Sequence, residues 1–109
     1  MAIVGGTFAQ GQLATSKATL YTVGVGVVAH VTQIILVNTD ASARTVNIYI
    51  KMSGGTSRRI IAKDLSLAAG ASYWVPISPS ALRLSAGDLI EGDASAATVV
   101  DYTISGGLE

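Results

Sequence analysis

The chain has 109 residues, seven lysines and arginines against seven aspartates and glutamates, and no cysteine. That length is one domain, the balanced charge gives no support to nucleic-acid binding, and without thiols neither a disulfide nor a thiolate metal site can form. Half of the residues are hydrophobic and 13% are charged, about half the usual share of roughly 25%, as expected of a surface that rests against another protein. The opening MAIVGGTFAQGQL lacks the basic and apolar regions of a signal peptide. No stretch reaches the ~18 apolar residues of a spanning helix, so the expectation is a protein made and used in solution, without a membrane partner.

Residues 1–13 hold three glycines and no period, which predicts a flexible N-terminal arm that orders only on a partner. Ala18 to Val23 is rich in β-formers and predicts a strand. Gly24-Val25-Gly26 predicts a turn. Val27 to Asn38 is the strongest strand, and its Ile34-Ile35-Leu36-Val37 segment is apolar on both faces, which calls for cover on both sides by a second sheet or a partner. Asn38 to Ala43 holds turn formers. The alternating stretch that follows places Val46, Ile48, Ile50 and Met52 on one face and Thr45, Asn47, Tyr49 and Lys51 on the other. Residues 36–50 therefore read as a half-buried hairpin with its polar face toward water or a partner.

Ser53 to Thr56 predicts a turn, Arg58 to Ala62 a strand, Ala68 to Ala71 a turn, and Ser72 to Ile77 a strand ended by Pro76 and Pro79. Ala81 to Leu84 is short and extended. A turn at Ser85 to Asp88 leads into Leu89 to Glu91, and Thr98 to Ile104 is the last strand, with Ser105-Gly106-Gly107 closing the domain. Leu67-Ala-Ala-Gly70 and Leu84-Ser-Ala-Gly87 echo one another as two similar turns. About eight short strands with turns every 8 to 12 residues predict an all-β antiparallel sandwich over residues 14–109, following the arm.

Catalytic chemistry finds little to stand on. A Ser-His-Asp triad would have to use the single histidine, His30, which lies mid-strand and next to no G-x-S-x-G elbow. It reads as a strand residue, half exposed or hydrogen-bonded. Asp88, Glu91, Asp93 and Asp101 match no EF-hand spacing and read as turn and strand-end carboxylates. Glu91 and Asp93 share a strand face, but that spacing is too common to mark a glycosidase pair. Gly24-Val25-Gly26 lacks the third glycine and helix of a phosphate cradle. No cofactor, metal or catalytic group is expected. Arg58-Arg59 could anchor to an acidic neighbour at an interface. Tyr73 and Trp74 point to opposite faces, so one belongs to the core and the other to the surface or an interface, with Trp74 favoured for the core. Ile3, Val4, Phe8, Arg58, Arg59, Tyr73 and Trp74 are the candidate interface residues.

The stretches LATSKATLYTV (13–23), ILVNTDASARTVNIYIK (35–51), GGTSRRIIAKDLSLAAGAS (54–72) and LSAGDLIEGDASAATVVDYTISG (84–106) resemble small virion proteins of tailed bacteriophages. Within that group the chain is most similar to jelly-roll-like capsid cement, or decoration, proteins. The resemblance implies a non-enzymatic protein on the outside of the phage head that staples neighbouring major capsid subunits, as a homo-oligomer of two or three copies. A tail, neck or fibre component, including a receptor- or glycan-binding module, is the alternative it leaves open. A cement protein gains contact area from arms that reach, so residues 1–13 are expected to lie across a neighbour.

Overall fold

The computed structural model describes residues 4–77 and 82–109. Ten strands follow in chain order: β1 (Val4–Gln12), β2 (Ala18–Thr22), β3 (Ala29–Asn38), β4 (Arg44–Lys51), β5 (Arg58–Arg59), β6 (Leu65–Leu67), β7 (Ser72–Trp74), β8 (Leu82–Leu84), β9 (Leu89–Ala94) and β10 (Val100–Leu108). There is no helix among the described residues.

Pairing is antiparallel throughout and nested. β1 pairs with β10, β2 with β9, β3 with β7 and β8, and β4 with β5 and β6. This is one long antiparallel ribbon folded about the β4–β5 turn. Rolling the ribbon brings β10 against β3 and β9 against β4. Two sheets result, β1-β10-β3-β7/β8 and β2-β9-β4-β5/β6, which is the jelly-roll form of the sandwich. The ten strands occupy eight strand positions, because two positions are interrupted. The strand expected over Arg58 to Ala62 stops at Arg59, and Asp64 takes a positive φ of 51° before β6. Pro76 lacks the N–H that would continue β7. Pro79 and Ala81 lie outside the described residues.

The inward faces of the two sheets make the core. Val31, Ile34, Leu36, Val46, Ile48, Ile90, Val100 and Ile104 are fully buried, each contributing roughly 1.5–3 kcal/mol by leaving water. The two echoing turns are indeed alike. Gly70 and Gly87 have φ of 72° and 86°, Ala71 and Asp88 each donate back three residues, and Leu67 and Leu84 are buried before them.

Three expectations about the course of the chain also need correction. Residues 4–12 are not a free arm but β1, hydrogen-bonded along β10. Gly5 and Gly6 lie opposite Gly107 and Gly106, so the main chain holds this strand and no side-chain period announces it. Phe8, the extra residue of a bulge between Thr7 and Ala9, stacks on Tyr21 of the other sheet at 5.2 Å between ring centroids. Ile3 and the side chain of Val4 lie outside the described residues. Second, residues 36–50 are strand, turn and strand but not a hairpin: β3 and β4 belong to different sheets. The connection crosses the edge of the sandwich because the Asn38 side chain points inward and fastens it. Its amide donates to the carbonyls of Ser42, Leu67 and Ala68 at 3.0, 3.1 and 3.2 Å, and its oxygen accepts from Asp40 N–H at 3.0 Å. Third, Ser105-Gly106-Gly107 does not close the domain but continues β10. The chain passes there because Gly106 has no Cβ, which would overlap the His30 carbonyl oxygen. The bulge opposite, at Thr32, restores the inward alternation of β3.

Candidate interaction surfaces

The outer face of the β1-β10-β3-β7/β8 sheet follows from register. Gln10, Thr103, Ile35 and Trp74 form one row across it; Gln12, Asp101, Val37 and Ser72 form the next. Gln10 donates to Thr103 Oγ1 at 3.3 Å and Gln12 to Asp101 Oδ1 at 3.1 Å. The β3–β7 side of the face is apolar. Trp74 is 61% exposed and stands beside the half-buried Ile35 and Val37. This reverses the expected assignment of the aromatic pair. Tyr73 lies opposite the fully buried Leu36 and packs against the core, so Trp74, one residue on, must point out. The apolar stretch at residues 34–37 accordingly has sheet cover on one face and side chains open to solvent on the other.

The outer face of the second sheet is polar and self-satisfied. Asn47 and Tyr49 were expected to face water or a partner, yet both are buried, because the chain from Ser57 to Asp64 folds over them. Asn47 donates to Asp64 Oδ1 and Asp93 Oδ1, both at 2.9 Å, and accepts from Asp64 N–H at 2.9 Å. The Tyr49 hydroxyl donates to Asp93 Oδ2 at 2.8 Å. Lys17 Nζ and the Arg59 guanidinium each lie 5.2 Å from the centre of the Tyr49 ring, within cation–π range. Burial lifts the Tyr49 phenol above its ordinary pKa, and the hydrogen bond to Asp93 adds to the shift. Met52, expected on the inward face of β4, falls beyond the strand and is exposed.

Of the paired arginines, Arg59 is engaged within the fold, donating to Asn47 Oδ1 at 3.3 Å. Arg58 is exposed. The four C-terminal carboxylates serve the scaffold. Asp88 accepts from the N–H groups of Ser53 and Ser85 at 2.9 Å each. Glu91 accepts from Ser57 at 2.5 Å. Asp93 holds Asn47 and Tyr49, and Asp101 holds Gln12. His30 is half-buried, with Nε2 3.0 Å from Glu109 Oε1. Asp40, bonded by Arg44 and by the Ala41 N–H, is held below the usual carboxylate range. Asn38 was read only as a turn former. A buried polar residue ending an alternating apolar strand was its one signal, and the side chain's distant partners near residue 67 gave none.

No family model matches the chain, and no curated protein matches it. Among solved structures, it is similar to a chain in the structure of infectious bursal disease virus, Gx strain. That match has a TM-score of 0.52 and 17% identity, and covers 98% of this chain and 32% of the other. The corresponding Gt-strain chain gives a TM-score of 0.47 at 14% identity over 98% of this chain and 30% of its own length. This chain thus spans about a third of the viral chains it matches. At 17% identity the likeness to the Gx-strain chain is one of fold, in accord with the jelly-roll strand order.

Proposed function

We propose that this chain is a non-enzymatic structural protein of a tailed-bacteriophage virion. It is made in the host cytoplasm and sits on the outer surface of the head. There it binds the major capsid protein as a homo-oligomer and stabilises contacts between neighbouring subunits. The observation that carries the reading is Trp74, 61% exposed on a sheet face beside Ile35 and Val37. A solvent-facing tryptophan flanked by apolar side chains on a rigid sheet has the composition of an interface centre. The jelly-roll fold, the virus chain that shares it and the low charge of the chain support the same reading.

The alternative, a tail, neck or fibre component that binds glycan, rests on the same indole, since an exposed aromatic ring is also a platform for a sugar. Sedimentation of the purified protein with undecorated heads separates the two. Binding that saturates at a fixed number of copies per head is expected, weakened by Trp74→Ser without loss of thermal stability. Absence of co-sedimentation overturns the head reading, and Trp74-dependent binding on a glycan array would replace it with the alternative.

A further inference from the structure

A β-sandwich has four sheet edges, and an unpaired edge is a template for another strand. Three edges of this fold are blunted. β2 is five residues long, carries a bulge at Leu20 and follows Lys17. The β5/β6 edge is broken and bears exposed Arg58 and Arg59. The β7/β8 edge is split into two three-residue pieces, with Pro76 after the first and exposed Arg83 in the second. β1 differs in length and charge, although it too carries a bulge, at Phe8. It is nine residues long, contains no charged residue and no proline, and no strand among the described residues pairs with its outer side. From Gln10 to Gln12 it is exposed.

The backbone groups on that side can be assigned. Leu13 donates to the Val100 carbonyl at 2.9 Å and accepts from Thr98 N–H at 3.3 Å, so its main chain faces β10. Alternation along an antiparallel ladder then turns Gly11 toward β10 and the N–H and C=O of Gln10 and Gln12 toward the open edge. The bulge at Phe8 ends this regular segment on its other side.

We infer that β1 is a self-association edge, which pairs antiparallel with β1 of a second copy about a two-fold axis at Gly11. Gln10 of each copy faces Gln12 of the other, and each pair exchanges two main-chain hydrogen bonds. A second copy is the favoured occupant because one two-fold operation satisfies both free edges with the same residues. A charge-free strand also meets no like charge on itself. The contact is short, so the dimer is of the weak, concentration-dependent class. The sheet edge alone carries this inference, and it is tested without heads, so failure of the dimer and failure of head binding are read separately.

The test is sedimentation velocity of the purified protein from micromolar to millimolar concentration. The wild type is expected to move from monomer to dimer. Gln10→Pro removes one outward N–H per copy, two per dimer, and leaves the β10 ladder intact. It should weaken the dimer roughly thirtyfold in Kd with little change in Tm, whereas Gln10→Ala should leave the dimer as it is. A wild type that stays monomeric, or an oligomer indifferent to Gln10→Pro, overturns the inference. Should Gln10→Pro fail to fold, the register gives a second test, made clean by the absence of native cysteine. A mixture of Gln10→Cys and Gln12→Cys proteins should give cross-linked heterodimer with a short thiol-to-thiol reagent. Either variant alone should give far less, and equal yields from all three samples overturn the pairing.

Discussion

Replacing Asn38 by alanine should cost about 3 kcal/mol. The side chain is fully buried. Its amide has two hydrogens to share among three carbonyls and its oxygen accepts one N–H, which makes three effective hydrogen bonds, each contributing about 1 kcal/mol net. The partners belong to two loops far apart in sequence, so the loss loosens both crossings at once. In a domain whose whole stability is of order 5–15 kcal/mol this is a large fraction, and it should lower Tm by roughly 10–20 °C. Urea denaturation at pH 7 reads it as a lower midpoint with an unchanged slope. Asn38→Asp should be worse at that pH, since it sets a carboxylate among carbonyl oxygens. The folded-state pKa of that aspartate is raised, so its charge penalty is complete above the raised value and declines as pH falls through it toward the ordinary value of about 4. An alanine variant within 1 kcal/mol of wild type would refute the view that this amide fastens the crossing. So would an aspartate variant no worse than alanine at pH 7.

Two further substitutions probe the scaffold. Gly106→Ala should destabilise by about 3 kcal/mol or more in urea titration, because the new methyl meets backbone atoms of His30 and Thr32 that cannot give way. Gly6→Ala, where nothing lies within 4 Å of the added carbon, should change little, and equal costs at the two sites would show that the close approach is not the cause. Tyr49→Phe should lose about 1–2 kcal/mol at pH 7, as Asp93 forfeits a donor. Because the Tyr49 pKa is raised in the folded protein, the wild-type advantage is complete below the ordinary phenol value of about 10 and is lost as pH rises through the folded value. The two stability curves should therefore converge at alkaline pH, and parallel curves would refute the assignment.

The class of fold was legible because turn chemistry and two-residue alternation are local. The Gly70 and Gly87 turns, the strand from Arg44 to Lys51 and the break at Pro76 all show in their own neighbourhoods. What was hidden depends on pairing. β1 and the end of β10 are joined glycine to glycine, so neither carries an apolar period. The crossing at Asn38 imitates a hairpin because the same turn residues serve both. Trp74 looked like core because large aromatics usually are. Strand phase decides the matter, and it is fixed by Tyr73 lying opposite Leu36, a fact of register with no local trace. Asn47 and Tyr49 keep the alternation expected of a polar face, and only the fold-back of residues 57–64 covers them.

The order in which the ribbon is wound has a consequence for synthesis. β10 is an inner strand of one sheet and β9 of the other, yet both are made after everything they join. A chain growing from the ribosome holds β1 and β3 without the strand that lies between them, and β2 and β4 likewise, until residues 89–108 have emerged. Folding of this domain should therefore wait until residues 89–108 are outside the ribosome, and be slow, as expected where sequence-distant strands must meet. Its nascent form exposes open strand edges that favour aggregation. The emergence of these last two strands, more than any early nucleus, sets the moment at which both sheets can close.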